Sequence, residues 1–245
     1  MHLVIDIGNT LQKLAVFDDN EKMVQWMQKD RLTIPMLEEV LAFRSHPIEN
    51  AIVSSVREED EELLSWLEER VKLVRFTRDC RLPVTIRYST PETLGTDRLA
   101  NAVGACAICP GQNVLSIVAG TCLVADFVSS DGSYWGGRIA PGMRMRFQAL
   151  SQFTAKLPLV EPEPIHYLVG DTTKSSILTG VIHGMANEID GMIEQFSNWY
   201  PSLKVLFSGG DSPLLQNFIK KRIFAAQNPI LLGLYKILVL NVSEN

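Results

Sequence analysis

Short apolar runs broken by glycine turns open the chain, and the same order of runs comes back after residue 112. Leu3-Val4-Ile5 leads into Asp6-Ile7-Gly8-Asn9-Thr10, and apolar positions resume at Leu14, Val16 and Phe17. This reads as strand, tight turn, strand. A third strand from Lys22 to Gln28 completes an antiparallel meander. Thr33-Ile34-Pro35 then starts a helix, with proline in its first turn and Leu37, Val40 and Leu41 at helical spacing. The strand Ala51 to Ser54, the helix Glu58 to Arg70 with Leu63, Leu64 and Leu67 inward, and the strand Leu73 to Phe76 follow. The predicted order is β-β-β-α-β-α-β.

The second half echoes the first. Val114 to Val118 runs into Ala119-Gly120-Thr121, Leu123 to Val128 continues, and Ser133 to Ala140 makes a third strand. One helix is expected after Pro141-Gly142 and a long one after Thr172-Thr173. The long helix carries Ile177, Leu178, Val181, Ile182, Met185, Ile189, Met192, Ile193 and Phe196 as an i, i+3, i+4 stripe. So long an apolar stripe predicts that part of it packs against a second subunit. A strand from Lys204 to Phe207, the turn Ser208-Gly209-Gly210-Asp211 and two closing helices, the last starting at Asn228-Pro229, end the pattern. Two ribonuclease-H-like α/β halves, residues 1–111 and 112–245, account for it better than one doubly wound sheet.

With 245 residues, 46% of them hydrophobic and 21% charged, the chain has enough apolar material for a globular core. A net charge of -5 with scattered Lys and Arg gives no attraction to nucleic acid or anionic lipid, so neither partner is expected. The run Met1 to Ile7 is too short for a signal-peptide core and carries Asp6, and nothing else approaches a membrane span. Cys106 and Cys109 have CxxC spacing, but no second pair or histidine cluster accompanies them, and a zinc site needs about four ligands. Together with Cys80 and Cys122 they read as reduced thiols of a cytoplasmic protein.

Candidate chemistry sits in the turns. In Asp6-Ile7-Gly8-Asn9-Thr10 a carboxylate ends a buried strand just before a turn whose N–H groups and hydroxyl suit phosphate oxygens. Asp6 suits magnesium, and Lys13 adds positive charge near the phosphates. The same residues also fit an ordinary hairpin. Gly120-Thr121 repeats the turn in the second half, so that two phosphate turns would form a clamp. At Gly209-Gly210, paired glycines let backbone approach a flat ring or ribose, because glycine has no Cβ. Between the halves, Tyr88 to Arg98 offers Asp97 as a proton acceptor and Arg98 as a partner for a carboxylate or phosphate. That segment also fits a plain helix cap, with Thr96 or Asp97 capping and Arg98 in solvent.

Taken together, these motifs resemble the type III pantothenate kinases, relatives of actin and the sugar kinases. The resemblance rests on Asp6 to Thr10, Gly95-Thr96-Asp97-Arg98, Gly120-Thr121 with Asp126, and Gly136-Gly137-Arg138-Ile139-Ala140-Pro141-Gly142. Thr154-Ala155-Lys156-Leu157-Pro158, Gly170-Asp171-Thr172-Thr173 and Gly209-Gly210-Asp211 extend it along nearly the whole chain. It implies phosphorylation of pantothenate by ATP with Mg2+ and a monovalent cation, K+ or NH4+. By that resemblance Asp97 is the catalytic base. ATP contacts fall on Asp6, Ile7, Gly8, Asn9, Thr10, Leu11, Gln12, Lys13, Gly120, Thr121, Gly209 and Gly210. Pantothenate contacts fall on Tyr88, Gly95, Thr96, Asp97 and Arg98, and Thr173 reaches the substrate from a neighbouring subunit, which implies a homodimer. The second turn departs from the family: Val118 stands where the family has an aspartate, and Leu123 and Val124 stand where it has threonines, leaving Asp6 and Asp126 as candidate metal ligands. The alternative this raises is a weak or inactive paralogue that binds ligands.

Overall fold

A computed structural model describes residues 1–42, 46–58, 60–226 and 228–243. The first half runs β1 (His2–Ile7), β2 (Gln12–Phe17), β3 (Met23–Lys29), α1 (Ile34–Ala42), β4 (Asn50–Ser55), α2 (Glu61–Glu68), β5 (Lys72–Arg75), β6 (Thr85–Ile86) and α3 (Thr96–Ile108). It continues with β7 (Val114–Ala119), β8 (Cys122–Val128), β9 (Ser133–Pro141), α4 (Met143–Gln152), α5 (Thr173–Trp199), β10 (Lys204–Ser208), α6 (Ser212–Leu215), β11 (Phe224–Ala225) and α7 (Pro229–Val242). The predicted elements are present, with α2 starting at Glu61 behind the N-cap Asp60, whose carboxylate accepts the Leu63 N–H at 3.3 Å. Glu59 of the helix expected from Glu58 lies outside the described residues.

The duplication is explicit in the sheets. The first has the order β3-β2-β1-β4-β5, with β1 antiparallel to β2 and parallel to β4. In the second, β9-β8-β7-β10-β11 repeats that order, with β7 antiparallel to β8 and parallel to β10. Each sheet has its own core. Leu3, Ile5 and Ile7 of β1 meet Leu37 and Val40 of α1 and Leu64 and Leu67 of α2. Leu115, Ile117 and Ala119 of β7 meet Phe147 of α4 and Ile182, Met185 and Ile189 of α5. Because strand side chains alternate between faces, Val4 and Asp6 lie on the other face of the first sheet, and Ser116 and Val118 on the other face of the second.

The chain forms two compact units, and their bounds differ from the expected division. One unit is 1–110 with 132–134 and 228–245; the other is 111–131 with 135–227. The C-terminal helix therefore belongs with the first half. Its packing explains why: a Cβ on Gly104 of α3 would stand 1.9 Å from the Pro229 carbonyl oxygen, and one on Gly233 of α7 would stand 1.8 Å from that of Ala100. The two backbones touch where both glycines fall. Gly233→Ala should cost about 3 kcal/mol, as overpacked cores do, seen as a lower urea midpoint with an unchanged slope.

One expectation is corrected. The α5 stripe is covered within a single chain, since Ile177, Leu178, Val181, Ile182, Met185, Ile189, Met192 and Ile193 are all buried in the second unit's core. It gives no reason to expect a second subunit. A capping box fixes the start of α5: the Thr172 hydroxyl accepts the Ser175 N–H at 3.1 Å, and the Ser175 hydroxyl accepts the Thr172 N–H at 2.9 Å.

Candidate phosphate and acceptor sites

Asp6 is the last polar residue of β1 before the turn and is only 5% exposed. In register it stands opposite Lys13 on β2 and Ser54 on β4. Burial pushes its carboxyl up to about 6; Lys13 works against that shift and the negative charge of Asp97 adds to it. The turn itself closes with the Gly8 N–H donating to the Leu11 carbonyl at 3.1 Å, and Asn9 and Thr10 are exposed at its tip. Two of the predicted contacts in this stretch have structural side chains. Ile7 points into the core, and the Gln12 amide oxygen accepts the Leu32 N–H at 2.6 Å, tying β2 to the approach of α1. Only their backbones remain for a nucleotide.

The Ser54 hydroxyl donates to the Thr96 hydroxyl at 3.3 Å, tethering the first residue of α3 to the strand beside Asp6. Asp97 follows, half-buried, with its Oδ1 accepting the Arg98 N–H at 2.9 Å. A Cβ on Gly95 would lie 2.5 Å from that same oxygen, so glycine is what gives the carboxylate room. Gly95, not Thr96 or Asp97, holds the N-cap position, and it makes no side-chain cap. Arg98 is 8% exposed, and its guanidinium carbon lies 5.6 Å from the Tyr88 ring centre and 6.0 Å from that of Tyr134. The cap-and-solvent alternative for this segment therefore does not hold: the arginine is enclosed and the aspartate caps nothing beyond its own neighbour. All these groups belong to the first unit.

The second unit gathers three turns. Gly209, at φ 102°, is so close to Ala119 that a Cβ would sit 2.1 Å from its carbonyl oxygen, and Asp211 donates its N–H to that oxygen at 3.0 Å. Gly142 donates its N–H to the Thr121 carbonyl at 3.2 Å, and a Cβ there would strike the Gly120 oxygen at 2.1 Å. Gly120-Thr121, Gly209-Gly210 and the start of α4 thus share one edge of the unit, with Thr121 and Gly210 exposed. Burial raises the Asp211 carboxyl above its usual range, against the pull of Arg144 and the Met143 N–H.

Thr173 begins α5 and is exposed in a groove with Arg146, Phe153, Leu157 and Val181. Val118 is half-buried and presents no ligand atom. Asp126, opposite Ser116 in register, is 0% exposed. The described residues contain no group of three or more His, Cys, Asp or Glu placed to hold a metal, and none of their helices is long and apolar enough to cross a membrane. The four cysteines are free thiols. Ser54 and Tyr134 are not among the candidate site residues read from the sequence, and Gly142 stands there only as the end of the Gly136 to Gly142 motif. Only Gly142 carried a local signal, as the end of the Pro141-Gly142 turn.

A family model for type III pantothenate kinases matches residues 2–195. The type III pantothenate kinase of Christiangramia forsetii is 42% identical over 247 residues, covering 100% of both chains. That of Cytophaga hutchinsonii is 40% identical, covering 99% of this chain and 100% of its own. Among solved structures, a ROK family glucokinase from Streptomyces griseus in complex with glucose and AMPPNP aligns with a TM-score of 0.52 at 11% identity, covering 97% and 98%. That likeness speaks for the duplicated fold alone.

Proposed function

The chain belongs to the type III pantothenate kinase family, and on that premise we propose that the Asp6 turn, Asp97 and Arg98 are the working parts of a phosphoryl transfer from ATP to pantothenate. The enzyme makes 4'-phosphopantothenate and ADP, the first step of coenzyme A synthesis. The observation that carries the assignment of roles is the enclosed Arg98 next to a half-buried Asp97 at the start of α3. The planar guanidinium fork matches a carboxylate, and the acceptor carries one. Asp97 then takes the proton of the 4'-hydroxyl as its oxygen bonds to the γ-phosphorus and the bond to ADP breaks. The turn after Asp6, with Lys13 opposite, receives phosphate oxygens through its N–H groups. Thr121 and the Gly209-Gly210 backbone take further parts of the nucleotide.

Magnesium fits this donor set. It takes one or two carboxylates beside phosphates and water, and Asp6 supplies one. When bound it neutralises phosphate charge; Asp6 must be ionised to hold it, and Lys13 assists that ionisation. A monovalent cation does not fit as well. The Val118 side chain offers no oxygen and Asp126 is enclosed. Val118→Asp should bind Mg-ATP more tightly and turn over faster, with lower stability in metal-free buffer, where it buries an unpaired charge. Calorimetric titration with Mg-ATP, beside initial rates, checks this; identical values in both proteins would remove Val118 as the limiting position.

In the same reading the protein is cytoplasmic and a homodimer, and the partner's Thr173 completes the acceptor site. Phe153, 81% exposed beside the Thr173 groove, supports a covered face there. Sedimentation velocity at micromolar concentration should give a particle of twice the 27.4 kDa chain mass, and Phe153→Glu should shift it toward monomer. A wild-type protein that sediments only as a monomer contradicts the dimer.

The function as a whole is tested by ADP release from ATP with a panel of acceptors. Pantothenate should drive release and hexoses should not. Binding of both substrates without ADP release would favour the ligand-binding paralogue.

A further inference from the structure

The repeated sheet order lets the two glycine turns be compared residue by residue. β7 takes the place of β1, β8 that of β2 and β10 that of β4, with the same strand directions. In the first sheet Asp6, two residues before its turn glycine, stands opposite Lys13 on β2 and Ser54 on β4. In the second, Val118 holds the same place and stands opposite Val124 on β8 and Ser208 on β10. The serine is kept, and the acid and the lysine are both valine. Each turn closes on its glycine, Gly8 N–H donating to the Leu11 carbonyl at 3.1 Å and Gly120 N–H to the Cys122 carbonyl at 3.0 Å, so the second turn closes one residue sooner.

We propose that the second turn works without a monovalent cation, and that the Val118–Val124 pair makes phosphoryl transfer by this chain independent of K+ and NH4+. This inference rests on the reading that ATP binds at this turn. A carboxylate and an ammonium replaced together leave no unbalanced charge for an ion to neutralise. The two half-buried valines form an apolar cross-strand pair in their place. K+ gives up its hydration shell only where protein oxygens replace it, and neither valine side chain has one. The carboxylate that remains on this face, Asp126, is opposite Ser116, two positions further from the turn along both strands, or about 7 Å at the ordinary strand rise. Backbone oxygens around the turn are engaged within the unit. The Ala119 carbonyl accepts the Asp211 N–H at 3.0 Å, that of Thr121 the Gly142 N–H at 3.2 Å, and that of Gly209 the Ser212 N–H at 3.1 Å. A cation at this turn would rest on phosphate oxygens and water, with nothing in the side chains to choose K+ over another ion.

The test compares chloride salts of K+, NH4+, Na+ and tetramethylammonium at one ionic strength, where screening is the same. Wild-type kcat/KM for ATP and the calorimetric Kd for Mg-ATP should agree within about twofold across the four. Val118→Asp should acquire a cation response: K+ should speed turnover about tenfold over tetramethylammonium, saturably, and should raise the melting temperature of the ATP-bound variant. Adding Val124→Lys to that variant recreates the charge pair of the first sheet, and the K+ response should fall back toward the wild-type level.

A wild type that loses about tenfold or more of its rate in tetramethylammonium and regains it saturably with K+ overturns the proposal. A folded Val118→Asp that answers K+ no more than the wild type does removes the valine pair as the cause. The wild-type salt series decides the matter if Val118→Asp does not fold. Absent ADP release in all four salts is failure of the kinase reading alone, since the Mg-ATP Kd values in the same salts still test the cation. A wild type that binds no Mg-ATP in any salt overturns both.

Discussion

Asp97→Asn should lower kcat by roughly 100- to 10,000-fold while leaving the protein folded, because the amide matches the carboxylate in shape but cannot take up the acceptor's proton. The Arg98 N–H now given to Oδ1 at 2.9 Å can still go to the amide oxygen, so the start of α3 should keep its form. Substrate KM values should move little, since the loss falls on the transition state. Circular dichroism and thermal melting establish folding, and initial rates at saturating ATP and pantothenate give kcat. Turnover within about threefold of wild type in a folded variant would take the base role away from Asp97.

Asp6→Asn should have the second largest effect, and in opposite directions on activity and stability. Removing the charge from the phosphate turn should cost roughly 100-fold or more in kcat/KM for ATP, the scale of losing one electrostatic group at a developing charge. The metal-free protein should nevertheless become more stable. Burial holds the folded-state carboxyl near 6, against an ordinary value of 3.8. The folded state thus binds the proton more tightly than the unfolded one, and wild-type stability falls as pH rises through about 4 to 6. Above that window the deficit is about 3 kcal/mol, from a difference of about two pKa units. Asparagine ionises nowhere, so the variant should gain up to that amount at pH 7.5 and nothing at pH 3.5. Chemical denaturation at the two pH values checks this. An equal difference at both would mean that the Asp6 charge is not what costs stability. The same carboxyl makes Mg-ATP binding proton-linked: affinity should weaken as pH drops below about 6, and Asp6→Asn should lose that dependence.

Much of this site was legible because its signals are local. Asp6 to Thr10 carries a strand end, a glycine turn and a hydroxyl within five residues, and Gly95 to Arg98 carries the two charged groups proposed for the acceptor side. The alternating and 3.6-residue patterns fixed the strands and helices to within a few residues, α5 included. The rest depends on contacts between distant segments. Nothing near Pro229 says that α7 packs on α3; that follows from Gly104 and Gly233 meeting across 129 positions of sequence. The two-residue strands β6 and β11 are too short for any periodicity. Tyr134 reads as an ordinary strand aromatic until β6 places it beside Arg98. Gln12 stands as an ATP contact by resemblance until its amide oxygen is seen to accept the Leu32 N–H. The apolar length of α5 suggested a subunit interface because periodicity counts buried positions without showing what buries them, and here α4, β7 and β8 do so.

This chain is expected to transfer phosphate to the 4'-hydroxyl of pantothenate with Asp97 as the base. Phosphorus NMR of a mixture of protein, Mg-ATP and pantothenate tests it directly, run beside the same mixture with Asp97→Asn. A phosphomonoester signal of 4'-phosphopantothenate should grow in step with ADP in the wild type, with nearly none in the variant. ATP consumed only to ADP and inorganic phosphate, or product formed equally fast by both proteins, would contradict it.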